Sequence, residues 1–329
     1  MQVFSLNKSD IEKFIDYNRI ISVIEKAFAD HSLGKAVLPP VTNLDIVESE
    51  GEVHIKSGHI KNYDNYCIKI ASGFWKNPER GLPTGNGMML LFDAETGLMS
   101  GIFFDEGLLT DLRTAAAGAI ASKYLSNENI KNVGVLGAGI QGKLQILFLS
   151  KVREFSKLYI WGKFKGEFEK YVEDMADKLP GVEFIECETP SESALCADIL
   201  VTATPSREPL IKTSDIRKGQ HITALGSDGP EKQEIPADAF KMFDKVIVDH
   251  VDQCSRLGET HHALEKGFIT PEQIHAQLGE VITGKKKGRE SEGEITISDL
   301  TGVAVQDIAI SNWAMQRSKE LGLGKIIEL

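Results

Sequence analysis

The chain has 329 residues, enough for two domains of ordinary size. Its 37 basic and 48 acidic side chains give a formal charge of −11, and no stretch gathers Lys and Arg among aromatics, which excludes a nucleic-acid surface. The apolar runs are strand-sized, well short of the roughly 20 residues a membrane span needs. Four scattered cysteines without metal spacing and an opening without a basic-then-apolar leader read as a cytoplasmic protein with buried thiols and no bound metal.

Residues 20–32, with Ile20, Ile21, Val23, Ile24, Ala27 and Phe28 at three and four spacing, predict an amphipathic helix. From Val37 to Phe104 the texture turns to short β-rich runs at residues 53–55, 66–70, 88–92 and 99–104, with hairpin-turn chemistry at residues 93–97. That is an antiparallel unit. Leu112 to Tyr124 is Ala-rich and helical. From Asn132 strands and helices alternate, as in a doubly wound parallel sheet, with strands at Asn132–Leu136, Leu158–Trp161, Val182–Glu186, Ile199–Ala203, His221–Ala224 and Lys245–Val248. Residues 284–289 are a short basic stretch, read as a solvated loop or a weak attraction for an anionic ligand. Ala304 to Gly322 is again helical.

The chain is therefore an α/β protein: a Rossmann-like doubly wound parallel sheet, residues 114–306, inserted into an α+β substrate and dimerisation domain, residues 1–113 and 307–329.

The run Val133 to Gly142 joins an apolar strand to a G-x-G-x-x-G turn. Gly137 permits the tight turn, Gly139 lets backbone N–H groups approach a pyrophosphate, and Gly142 lets the next helix pack on the strand. The plain alternative is a ligand-free glycine-rich βα turn. On the dinucleotide reading, the cofactor lies along Gly137, Ala138, Gly139, Ile140, Gln141 and Gly142, then the second-strand end Trp161, Gly162 and Lys163, and then Thr202, Ala203 and Thr204. The second strand ends in Gly162 with Lys163 and Lys165 behind it, and the next carboxylate, Glu167, falls on the following helix. That setting welcomes a 2′-phosphate, so NADP(H) is favoured slightly over NAD(H). The other reading is ordinary loop lysines in a site open to both.

Three charged residues sit in apolar or glycine-rich surroundings and need partners: Lys69, Arg113 and Asp228. Lys69 either snorkels to the surface or enters a cleft, where it holds a carboxylate or polarises a C=N or C=O bond. Arg113 clamps an anion or makes an interdomain salt bridge. Asp228 follows a strand at the carboxyl edge of the sheet, as a general acid/base or an Asx turn before Gly229.

Lys69, Gly85-Asn86-Gly87, the helix start at residues 111–117, the glycine turn, Gly226-Ser227-Asp228 and the run Asp299 to Asp307 together resemble the ornithine cyclodeaminase/μ-crystallin family over almost the whole chain. The resemblance implies a homodimer with paired β-rich domains. It also implies NAD(P) in the inserted domain, substrate contact by Lys69, a substrate carboxylate on Arg113 and proton handling by Asp228. Thr84, Thr114 and Thr301-Gly302-Val303 would border the cofactor.

Many relatives carry an arginine where this chain has Thr42, and here His54 and Lys56, on one face of an alternating strand, supply cations nearby. They face either the cleft or solvent. This variant resembles the branch of ectoine-utilisation proteins and iminosuccinate reductases. The expected function is NAD(P)H-dependent reduction of a small α-imino acid, with a dicarboxylic substrate leading. The alternatives are ammonia-releasing cyclisation of the ornithine cyclodeaminase type, reduction of a cyclic ketimine such as pyrroline-2-carboxylate, and a μ-crystallin-like ligand carrier.

Overall fold

Alternating apolar positions between Gln2 and Phe104 form seven strands in the computed structural model, which describes residues 2–328. The chain divides into two compact units. One runs to Arg113 and resumes at Val303, and the other is Thr114–Gly302.

In the first unit β1 (Gln2–Asn7) leads to α1 (Lys8–Glu12) and α2 (Tyr17–Ser32). Asn7 and Asp16 cap these helices, accepting from Asp10 N at 2.9 Å and Arg19 N at 3.0 Å. Then come β2 (Ala36–Val37), β3 (Thr42–Ile46), β4 (Gly51–Ile60), β5 (Asn65–Phe74), β6 (Gly85–Asp93) and β7 (Met99–Phe104). The β6–β7 turn closes because Asp93 Oδ1 accepts from Thr96 N at 2.7 Å and Thr96 Oγ1 at 2.6 Å, while Gly97 takes φ +72°. Asp105, buried after β7, caps α3 (Leu108–Leu125) by accepting from Leu109 N at 2.8 Å.

The second unit begins within α3. It holds β8 (Asn132–Leu136), α4 (Ile140–Leu149), β9 (Lys157–Trp161), α5 (Glu167–Met175), β10 (Glu183–Glu186), α6 (Pro190–Cys196), β11 (Ile199–Thr202), β12 (His221–Ala224) and β13 (Lys245–Val248). It continues through α7 (Val251–Cys254), α8 (Gly258–Glu265), β14 (Ile274–Gln277), α9 (Leu278–Ile282) and β15 (Thr296–Asp299). The sheet order is β10-β9-β8-β11-β12-β15-β13-β14, every pairing is parallel, and β11, β12, β13 and β15 are buried throughout. Strand order reverses between β8 and β11. In such a sheet the crevice outside their carboxyl ends is where a ligand binds. β14 and β15 lie outside the strands expected from sequence, and β15 slots between β12 and β13 because its polar side chains find partners. Thr296 Oγ1, for example, donates to Leu125 O at 2.8 Å.

Back in the first unit, α10 (Ala304–Glu320) and β16 (Lys325–Glu328) complete a sheet ordered β16-β1-β7-β6-β5-β4-β2, with β3 also on β4. One face is sealed: Cys67, Lys69, Met89, Leu91 and Phe103 are buried, and α10 packs on β4, β5 and β6 with α2 beside it. Asn312 ties α10 to β5, accepting from Asn65 Nδ2 at 2.9 Å and donating to Asn65 O at 3.2 Å. The opposite face keeps Ile55, Ile68, Ile70, Met88, Leu90 and Ile102 only half-buried. Among the described residues no helix is long and apolar enough to cross a membrane.

Candidate active site

On the sealed face of the first unit, strand register sets Lys56 directly opposite Lys69, and both are buried, at 8% and 2% exposure. Like charges opposite each other on a buried face cost stability, so their retention calls for an anion. Asp307, in the first turn of α10 where a helix favours negative charge, is one: its Oδ2 lies 4.0 Å from Lys69 Nζ and its Oδ1 3.0 Å from Arg113 Nε. Arg113 Nη1 donates to Gln306 Oε1 at 3.3 Å, Gln306 Nε2 donates back to Arg113 O at 3.3 Å, and Val303 N donates to Gln306 Oε1 at 2.9 Å. Arg113 is thus clamped, with its residual positive charge directed by neighbours that are themselves fixed. Two cations meet the Asp307 carboxylate here, and Lys56 stands opposite one of them. His54 shares the face of Lys56 but spends Nδ1 on Asn43 Oδ1 at 2.8 Å, with Glu52 Oε1 3.6 Å from Nε2. Thr84 is half-buried before β6, and its carbonyl accepts from Phe74 N at 2.8 Å.

In the second unit the glycine turn has the form its residues require. Gly137 sits at φ +105°, and a Cβ there would be 2.7 Å from Ala203 O. A Cβ on Gly142 would lie 1.9 Å from Gly137 O. At Gly139 a Cβ would meet no atom within 4 Å, and α4 starts without a side-chain cap. The turn therefore offers open space and uncapped N–H groups at a helix N-terminus, which fit a pyrophosphate. Ala138 is buried while Ile140 is 65% exposed. Gln141 Oε1 accepts from Gln145 Nε2 at 3.4 Å, and the same amide donates to Thr114 O at 3.0 Å, linking α3 to the turn. Trp161 O accepts from Gly137 N at 2.9 Å, which brings the end of the second strand, with Gly162 and the exposed Lys163, beside the turn. The strand ends without a carboxylate of its own and Glu167 opens the following helix, as the sequence predicts, yet its side chain reaches back: Glu167 Oε2 would be 2.7 Å from a Cβ on Gly162.

The ends of β11 and β12 are clamped by a residue that sequence reading missed. Glu234 Oε1 accepts from Thr204 N and Oγ1, both at 2.7 Å, and Oε2 accepts from Gly226 N at 3.1 Å. Burial pushes Glu234 up to about 7 against the pull of these donors. Burial, then Glu234 and Asp299, hold the neighbouring Glu259 well above the usual carboxylate range. Asp228 follows on the same edge. Lys232 Nζ, on a side chain 5% exposed, donates to Asp228 Oδ1 at 2.6 Å, and the turn closes through Ser227 Oγ donating to Lys232 O. This brings an ammonium to the carboxylate, which a lone Asx turn would not do. Gly302, at φ +79°, donates its N–H to Asp249 Oδ2 at 2.6 Å, and Gln253 Nε2 holds its carbonyl at 2.9 Å.

Sequence reasoning named Lys56, Lys69, Arg113 and Asp228 but assigned no role to Asp307, Gln306, Lys232 or Glu234. Asp307 was within the motif-bearing run 299–307. Its signal was an acidic side chain in the first turn of the C-terminal helix.

The model of the ornithine cyclodeaminase/mu-crystallin family matches residues 2–320. An uncharacterized cyclodeaminase of Sinorhizobium fredii is 41% identical over 94% of this chain and 93% of its own length. The delta(1)-pyrroline-2-carboxylate reductase of Thermococcus litoralis, solved with NADH and L-proline, superposes with a TM-score of 0.94 at 30% identity, covering 99% of this chain and 100% of that one. The iminosuccinate reductase of Paracoccus denitrificans, solved with NAD+, superposes with a TM-score of 0.91 at 29% identity over 100% of both chains. The chain belongs to the ornithine cyclodeaminase/mu-crystallin family.

Proposed function

We propose that this protein is an NAD(P)-dependent oxidoreductase that reduces the C=N bond of a small α-imino acid, and that its substrate is a dicarboxylic imine giving an aspartate-like amino acid. The observation that carries the substrate class is the buried pair Lys69 and Arg113 at the Asp307 carboxylate, with Lys56 buried opposite Lys69. A bound dinucleotide would supply the hydride, its phosphates held by the N–H groups of the 137–142 turn. Arg113 and Lys69 anchor the α-carboxylate and orient the imine carbon. Lys56 takes the second carboxylate. Asp228, held by Lys232, passes the proton to the imine nitrogen directly or through a water.

The same charges argue against cyclodeamination. A diamino acid would bring a second ammonium beside buried lysines, and like charges in such a setting repel strongly. The test follows NADH and NADPH absorbance with ammonia and, in turn, oxaloacetate, pyruvate or a cyclic pyrroline carboxylate. Consumption is expected to be fastest with oxaloacetate, and Lys56→Met should erode the dicarboxylate preference by about 10- to 100-fold. Preference for pyruvate or the cyclic imine would overturn the substrate class. Ammonia release from ornithine without net change in cofactor would install cyclodeamination instead, and no turnover of any substrate would favour a ligand carrier.

We also propose a homodimer built on the half-buried face of β4, β5, β6 and β7. Ile55, Ile68, Ile70, Met88, Leu90 and Ile102 line it, and Leu44 and Phe104 extend it at 54% and 46% exposure. An apolar face of that extent on an antiparallel sheet needs a cover, and a second copy offers one of matching chemistry. Light scattering should give twice the chain mass for the native protein and a single mass for Ile68→Glu. A native monomer would refute the proposal. Cys67, Cys187, Cys196 and Cys254 are all free thiols, which suits the reducing cytoplasm we assign to it.

A further inference from the structure

We infer that Glu167 makes this protein select NAD(H) over NADP(H), by presenting its carboxylate to the adenosine ribose at the end of β9. The inference rests on the reading that the second unit binds a nicotinamide dinucleotide.

In a parallel sheet of this kind the adenosine ribose lies at the end of the second strand, beside the glycine turn. Three observations put Glu167 there. The bond from Gly137 N to Trp161 O fixes the end of β9 against the turn. The next residue, Gly162, is so close to the turn that a Cβ on it would lie 3.4 Å from Ala138 Cβ, and the same Cβ would be 2.7 Å from Glu167 Oε2 and 2.9 Å from Glu167 Cβ. Gly166, at φ +89°, then reverses the chain so that the first residue of α5 points back to the strand end. Phe164 N donates to Glu167 Oε2 at 3.0 Å and fixes the carboxylate in that position.

Gly162 therefore makes room for a carboxylate delivered from the following helix, in place of one carried by the strand itself. Two adjacent ribose hydroxyls can donate to such a group. A 2′-phosphate, doubly anionic and without a donor, would face it charge against charge. Lys163 and Lys165 are the counterweight, but both side chains are exposed, and Lys163 Nζ lies 5.8 Å from the centre of the exposed Phe164 ring. Solvent screening weakens their pull relative to a positioned carboxylate.

The test is direct binding of NADH and of NADPH to the full-length protein without substrate, read as quenching of tryptophan emission. NADH is expected to bind tighter by about 30-fold, and Glu167→Gln to bring the two within about 3-fold of each other. Gly162→Ala, which displaces the carboxylate without removing it, should narrow the ratio in the same direction, and melting curves for each variant check that it is folded. Equal affinities in the native protein, or a ratio untouched by both substitutions, would overturn the role of Glu167 and leave the dinucleotide reading standing. Binding of neither dinucleotide would overturn both.

Discussion

Asp228→Asn is expected to lower turnover by about 10²- to 10⁴-fold while leaving NADH affinity within about 2-fold of native. The asparagine keeps the shape of the side chain and can still accept from Lys232 Nζ, which donates to Asp228 Oδ1 at 2.6 Å in the native protein. What it loses is the ability to take up and release a proton. The turn that carries it is braced elsewhere, by Ser227 Oγ on Lys232 O and by His262 Nε2, which lies 2.8 Å from the same carbonyl. The fold of the edge should therefore survive. Single-turnover measurements separate the two effects, and a variant that reduces imine at a near-native rate would remove Asp228 from the chemistry.

Asp307→Ala is expected to cost about 3–5 kcal/mol of stability, the range found when one partner of a buried ion pair is removed. Arg113 and Lys69 are 4% and 2% exposed, and the substitution would leave both cations facing Lys56 without that carboxylate. Arg113 Nε stands 3.0 Å from Oδ1 without meeting hydrogen-bond geometry, so the attraction is chiefly charge on charge in a poorly solvated place. Denaturant unfolding measures the loss, and added dicarboxylate should restore part of it by refilling the anionic position. A loss below about 1 kcal/mol would mean that solvent or other groups already balance those cations.

Much of this architecture was legible from residues alone. The strands Asn132–Leu136 and Lys245–Val248 appear at the bounds their patterns predict, because a strand buried on both faces is written as a mainly apolar run between polar turns. β15 was not legible. Its sequence Thr-Ile-Ser-Asp is half polar, and it is buried only because Leu125 O and its neighbouring strands supply hydrogen-bond partners from far along the chain. Glu167 shows the same limit in the candidate site. On the sequence it belongs to a helix, six positions after Trp161, and only the left-handed Gly166 returns its carboxylate to the strand end.

The sequence by itself determined the elements whose signals are local: the glycine turn, the apolar strands, the Ala-rich α3, the family and the identity of the unusual charges Lys56, Lys69, Arg113 and Asp228. Each depends on period, on permitted φ or on a residue type out of place within a few positions. The tertiary structure alone decided which charge answers which. Asp307 reaches Arg113 across nearly two hundred positions, Lys56 meets Lys69 through strand register, and Glu234 gathers the ends of two strands. Electrostatic partnership depends on distance in space and on exclusion of water, and neither is written in the spacing of residues along a chain.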